Sequence, residues 1–134
     1  MDNYGYFRFN LKILTMTPEK LELRLIDFAV SIIKIASQIS NNYPGEHLAK
    51  QIVRSGTSPA LNYAEARAAE SSRDFVHKVR IALKELRETL VCLRILQKAD
   101  LMKKELNNIN LASKECNELI SIFVATTKSM RKRK

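Results

Sequence analysis

Tryptophan is absent from this chain, and glycine and proline occur only three times each in 134 residues. A chain so poor in turn formers lacks the means to build the many tight corners of a sandwich or barrel, so strand-and-turn architectures are poorly supported. Two cysteines, Cys92 and Cys116, and two histidines, His47 and His77, are too few and too far apart for a disulfide framework or a metal-spaced Cys/His set. No glycine-rich phosphate loop and no nucleophile elbow occurs. Each histidine lies alone in a helical segment and reads as a solvated side chain. No apolar run approaches the roughly 18 residues of a membrane span, and no secretory leader is visible. The expectation is a cytoplasmic protein with reduced thiols, no membrane association, no cofactor, no metal, and no catalytic residues. A disulfide would require the two cysteine-bearing helices to be neighbours at that level.

What the chain has instead is helix formers and positive charge. At 134 residues it can bury one core as a single domain. The net charge is +9, and its placement matters more than its size. Residues 17–41 and 46–70 each balance to zero, whereas residues 73–98 carry seven Lys/Arg against three Asp/Glu, and the segment from Lys128 to the end is purely basic.

Residues 76–98 hold two interleaved stripes. Val76, Val79, Leu83, Leu86, Leu90 and Leu93 recur at intervals of three and four, the seam of a helix packed in a bundle. His77, Arg80, Lys84, Arg87, Val91, Arg94 and Lys98 follow the same spacing displaced around the helix. One helix thus buries one side and presents a rail of cations on another, which suits a polyanion better than a point substrate. The rival reading is a solvated helix face.

Three further helices flank this one. The first starts at Thr17-Pro18, an N-cap followed by proline at the first helical position. Leu21, Leu25, Phe28, Ile32, Ile35 and Ile39 form its seam, widened by Ala29, Ile33 and Ala36, and the spacing predicts an end at Asn41-Asn42 before a Tyr43-Pro44-Gly45 turn. The second runs from about Glu46 to Ala69 with a small and polar seam of Leu48, Ile52, Ser55, Pro59, Asn62 and Ala66, and Pro59 predicts a kink. The third takes its cap from Ser71-Ser72, Ser72 by preference, and continues to about Ala99. A polar connection over 100–110 leads to a fourth helix over about 111–129, with Cys116, Leu119, Ile120, Phe123 and Thr127 on one side. Residues 1–16 partly alternate aromatic and aliphatic positions and read as an extended or disordered arm, or as sequence before a natural start at Met16. Residues 130–134, including Arg131, Lys132 and Arg133, read as a mobile basic tail. The whole is an all-α, antiparallel up-down-up-down four-helix bundle over 17–129.

Two segments invite a chemical reading. Arg73 and His77 stand one helical turn apart, faintly similar to the Arg and His pair of helical ribonucleases of the HEPN type, although those keep four to six intervening residues and this chain has three. Asn62 lies on a seam and must find a partner; with Glu65 it is expected to tie the second helix to a neighbouring helix or subunit.

The run from Gln51 to Ala66 resembles the central signature of the four helix bundle family, which contains proteins encoded in intervening sequences of bacterial large-subunit ribosomal RNA genes and more distantly resembles the accessory variability determinants of diversity-generating retroelements. Gln51, Arg54, Asn62, Ala64 and Glu65 carry the match, with Phe75, Ile81-Ala82 and Glu88 following in the next helix. Pro59 sits one residue early, Tyr63 replaces Ile, Ala66 replaces Gly, and Lys84-Glu85 stands where Gly-Ser is common, so no role of that Gly-Ser pair carries over. The resemblance spans about residues 18–128. It implies a bundle that assembles as a ring-like homopentamer. In the retroelement relatives a basic barrel binds nucleic acid and partners a reverse transcriptase.

The expected function is therefore non-enzymatic binding of an RNA or DNA backbone by Arg80, Lys84, Arg87, Arg94 and Lys98, with Arg131, Lys132 and Arg133 assisting. The competing expectation is a protein–protein adaptor or assembly scaffold. A HEPN-like ribonuclease ranks below both.

Overall fold

Thr17, Asn42 and Ser71 start three of the helices in the same way. Each is extended, and its side-chain oxygen accepts an N–H three residues on: Lys20 at 3.2 Å, Gly45 at 2.8 Å and Asp74 at 3.1 Å. The computed structural model describes residues 16–103 and 107–131. Four helices result: α1 (Pro18–Ala36), α2 (Tyr43–Arg67), α3 (Ser72–Lys98) and α4 (Asn107–Arg131). Of the expected arm over residues 1–16, residues 1–15 lie outside the described residues, as do Lys132 and Arg133, while Met16 is half-buried against the core.

Cross-helix pairs set the directions. Arg67 near the end of α2 meets Glu19 and Glu22 at the start of α1. Lys78 at the start of α3 meets Glu65 late in α2, and the Cys116 thiol donates to the Leu86 carbonyl at 3.1 Å. Arg24 of α1 grips Glu115 and Glu118 in the middle of α4. Each packed pair is antiparallel, so α1 and α3 occupy opposite corners, both packed on α2 and α4.

Several boundaries differ from those the sequence suggests. α1 ends at Ala36, not at Asn41-Asn42, because the chain peels away into an isolated antiparallel bridge between Ile39 and Met102. There Ser40 N–H donates to Leu101 at 2.7 Å and Lys103 N–H to Gln38 at 2.9 Å, which keeps Ile39 buried without helix. Tyr43-Pro44-Gly45 is no separate turn; it is the first turn of α2 under the Asn42 cap, where proline needs no hydrogen bond. Ser71, not Ser72, caps α3, and α4 begins at Asn107 rather than 111. Arg131 is the last residue of α4 and not part of a tail.

The five seam residues within α1 are buried, as is Ile39 beyond its end, but Ile33 is not one of its widening positions and faces out. In α3 the buried band turns toward α2: Ala82, Glu85, Thr89 and Cys92 are buried, while Val76 and Leu83 are half-buried. In α4, Ile109, Ala112 and Ile122 join Cys116, Leu119 and Phe123 inside, and Ile120 and Thr127 stay at the margin. The small residues of α2 let its neighbours approach. A Cβ on Gly56 would meet the Ile32 side chain at 2.6 Å. α2 runs unbroken through the buried Pro59. Its large core group is Tyr63, whose ring meets Phe123 edge-on at 5.7 Å between centroids.

Candidate nucleic-acid interface

The outer face of α3 points away from α1, diagonally out of the bundle. His77, Arg80, Lys84, Arg87, Arg94 and Lys98 are all exposed on it. From Arg80 to Lys98 the rail runs about 27 Å at 1.5 Å per residue. Among the described residues, ion pairs form at Arg24, Arg54, Arg67 and Lys78, and none forms at a rail residue.

The reason lies in where α3 sends its own carboxylates. Glu85 and Glu88 share the side turned to α2, where Arg54 reaches across to both, Nη1 at 3.0 Å from Glu85 and Nη2 at 2.7 Å from Glu88. The Glu88 hydrogen bond, with the charge of Glu85, holds the Arg54 guanidinium above its ordinary range. Glu85 is buried, and its neighbour Thr89 places Oγ1 2.9 Å from Ser55 Oγ and 2.8 Å from the Glu85 carbonyl oxygen. Arg54 thus engages Glu85 and Glu88 on the side of α3 next to α2. Arg54 and the Ser55/Thr89 contact tie α2 to α3. Sequence reasoning marked Arg54 as a motif residue without this role; the signal was the pair Glu85 and Glu88 at i, i+3, off the basic stripe.

The other motif residues behave differently from one another. Glu65 pairs with Lys78 at 2.7 Å, a cross-helix tie as expected. Asn62 does not tie helices within the chain: its Nδ2 donates to the Ser58 carbonyl at 3.0 Å and the Ser58 hydroxyl at 2.8 Å, one turn back in α2. A seam asparagine can satisfy itself this way because its amide reaches the preceding turn. Gln51 is exposed and lines a groove of about 630 Å³ between α2 and α3, floored by Leu48, Leu83, Val91 and Ile95 and edged by Arg80, Lys84, Arg87 and Glu88.

At the start of α3 the rail continues into a depression of about 660 Å³ lined by Arg73, Val76, His77, Arg80, Met130 and Arg131, among others. Arg131 therefore joins the rail from the end of α4. Arg73 and His77 are both exposed and share this depression. His47 is exposed at the start of α2.

Among the described residues no group of three or more metal-ligating side chains occurs, and no helix is long and apolar enough to cross a membrane. Cys92 and Cys116 are free and buried, and burial pushes their thiols up to about 11 and about 12.

Among curated proteins none matches the chain. A solved structure does: a protein of unknown function from the S23 ribosomal protein family of Bacteroides thetaiotaomicron, 29% identical, with a TM-score of 0.75 over 84% of this chain and 99% of that one. Residues 23–125 match the family described as 23S rRNA-intervening sequence protein. That span takes in the Gln51 to Ala66 signature, the whole of α2 and α3 and most of α1 and α4, and on it the chain belongs to the 23S rRNA-intervening sequence protein family.

Proposed function

We propose that this protein is a non-enzymatic, cytoplasmic, homopentameric nucleic-acid-binding protein that grips the phosphate backbone. The observation that carries the reading is the contrast on α3: its carboxylates at Glu85 and Glu88 are held on the α2 side, and Arg80, Lys84, Arg87, Arg94 and Lys98 stand exposed outside any ion pair among the described residues. Cations at intervals of three and four along a straight helix are spaced for a chain of phosphates, and the scarcity of aromatics on this face favours backbone contact over base stacking. Repeating the rail around a ring multiplies the potential. A protein partner, such as a reverse transcriptase in the retroelement relatives, would join through a separate face.

Binding of single-stranded and duplex RNA and DNA measured across salt concentrations tests this. Log affinity should fall linearly with log salt, by about 0.7–0.9 for each phosphate neutralised. Charge reversal at Arg80, Arg87 and Arg94 should flatten that slope and weaken binding to every sequence alike. Undetectable binding at about 50 mM salt, where counterion release favours association, sinks the reading.

An assembly scaffold without nucleic acid is the second reading, and the observation favouring it is the row of exposed aliphatic residues on α1. Intact self-association with no salt-dependent polyanion binding would select it.

A further inference from the structure

The depression at the start of α3 differs from the rail that runs into it. Arg73, His77 and Arg80 line it from one face of α3, at intervals of four and three, and Arg131 lines it from the last residue of α4. The donors therefore close on one point from two helices, whereas those of the rail stand in a row. Val76 and Met130, both half-buried, give it an apolar floor, and Ser72 adds a hydroxyl. No carboxylate is among these lining residues, and Arg73, His77, Arg80 and Arg131 make no ion pair among the described residues. Asp74, the acid of that helical turn, shares the neighbouring face with Lys78, which is itself paired with Glu65 of α2. At about 660 Å³ the depression has the volume of a small-ligand site.

Beyond it the surface changes sign. The adjoining depression shares Ser72 and Met130 and is lined by Glu19, Glu70 and Arg67. Arg67 is taken up by Glu19 and Glu22, whereas Glu70 is exposed and makes no ion pair among the described residues. A polyanion that follows the rail past Arg80 thus meets a converging set of donors and then carboxylates.

We infer that this depression takes the terminal phosphate monoester of a nucleic-acid strand whose backbone lies on the rail. The inference rests on the nucleic-acid reading above and adds to it an end to be recognised. An internal phosphodiester carries one negative charge, has a sugar on either side and leaves only two oxygens free. A terminal monoester carries about −1.5 to −2 at neutral pH and offers three acceptor oxygens. Guanidinium forks bind such oxygens in pairs, through two parallel hydrogen bonds. Arginines approaching from two helices can serve the several open sides of a monoester, while a row of cations serves diesters in series. The apolar floor of Val76 and Met130 suits the last sugar, and Glu70 opposes a strand that continues.

Titration of one single-stranded oligonucleotide in four forms tests this: with a 5′-phosphate, with a 3′-phosphate, with both ends hydroxyl, and hydroxyl-ended but one nucleotide longer. The last form adds charge without a monoester and so separates end recognition from net charge. At about 100 mM salt one phosphorylated form should bind about tenfold tighter than both hydroxyl-ended forms, the gain expected from added charge-assisted hydrogen bonds, and the end that gains gives the strand its polarity. Arg73→Gln with His77→Gln should bring that ratio to about one. Both side chains are exposed, so circular dichroism should show the variant folded. Arg87→Glu with Arg94→Glu should weaken every form and keep the ratio. Equal binding of all four forms by wild type overturns the inference and leaves the backbone reading standing. A preference that survives the Arg73 and His77 substitutions overturns it too, since the monoester then sits elsewhere. A nucleoside monophosphate that competes as strongly as the strand end makes the depression a free-nucleotide site and overturns the strand-end assignment. Absence of binding by any form at about 50 mM salt removes the backbone reading and the inference with it.

Discussion

Single residues at the ends and crossings of helices carry much of the specificity of this bundle. Asp100 follows the C-cap of α3 with φ of 54°, the left-handed region, while Leu101 N–H returns to the Leu96 carbonyl at 3.3 Å and Asp100 N–H to Gln97 at 3.4 Å. That is a Schellman stop with a residue other than glycine at its αL position. Asp100→Gly should raise stability by about 0.5–1 kcal/mol, read from the urea midpoint at unchanged slope. Gly56 works the other way. With Ile32 standing 2.6 Å from where its Cβ would lie, Gly56→Ala should separate α1 from α2 and cost about 1–3 kcal/mol by the same measurement. The two thiols give a pH signature. Each is raised from the ordinary value of 9.0, to about 11 at Cys92 and about 12 at Cys116, by burial. The folded state therefore keeps protons that the unfolded chain sheds above about pH 9, and this contribution is whole below that pH and lost as pH rises toward 11 and 12. Urea midpoints should fall across that window, and a Cys92→Ala/Cys116→Ala variant should fall less steeply. Native protein at neutral pH should resist thiol-specific reagents that label both cysteines in urea.

At the scale of the element, helix count, order and inward faces were legible because the seams of α1 and α3 repeat without interruption over many turns, and a long periodic run tolerates an error at its ends. The ends were less legible. The α1 stop depends on Ile39 meeting Met102, a contact sixty-odd residues away in sequence that no local pattern announces. Asn42 and Ser71 won as caps over Tyr43-Pro44-Gly45 and Ser72 by geometry one residue wide. The rail was readable as a stripe, but its freedom was not, since that depends on Arg54 drawing off Glu85 and Glu88. Ile33 reads as core in the sequence yet faces out, because a hydrophobic helix shows its apolar positions without showing which of two faces has a partner. Between α1 and α4, Arg24 is the main polar tie, donating to Glu115 through Nε at 2.8 Å and Nη2 at 2.6 Å and also binding Glu118. Arg24→Ala removes the bidentate partner of Glu115 and should cost about 1–3 kcal/mol. Hydrogen exchange should show faster opening in α1 and α4 than in α2 and α3.

For the molecule as a whole, the positive charge has two parts of different character. The rail is fixed on a helix whose inner side is core, and the cations after Arg131 follow the last described residue of α4. An array already in place loses little freedom on binding. Deleting residues 131–134 should leave folding and assembly unchanged, because Arg131 is exposed and makes no ion pair among the described residues. Reversal of Arg80, Arg87 and Arg94 should weaken polyanion binding more per charge removed. Titrations at matched salt decide, and a loss confined to the deletion would reduce the rail to a solvated face.

The bridge between Ile39 and Met102 fastens the two loops at one pole, and Pro18 and Met130 line a common depression at the other, where the described chain begins and ends. Tension applied between the two ends therefore never shears the bundle along its length. It peels α1 from α4 turn by turn, starting at the open pole and meeting Arg24 as the first real resistance, with the fastened loops the last to part. Mechanically the protein is a zipper pulled from its open end, weak to a stretch along the chain.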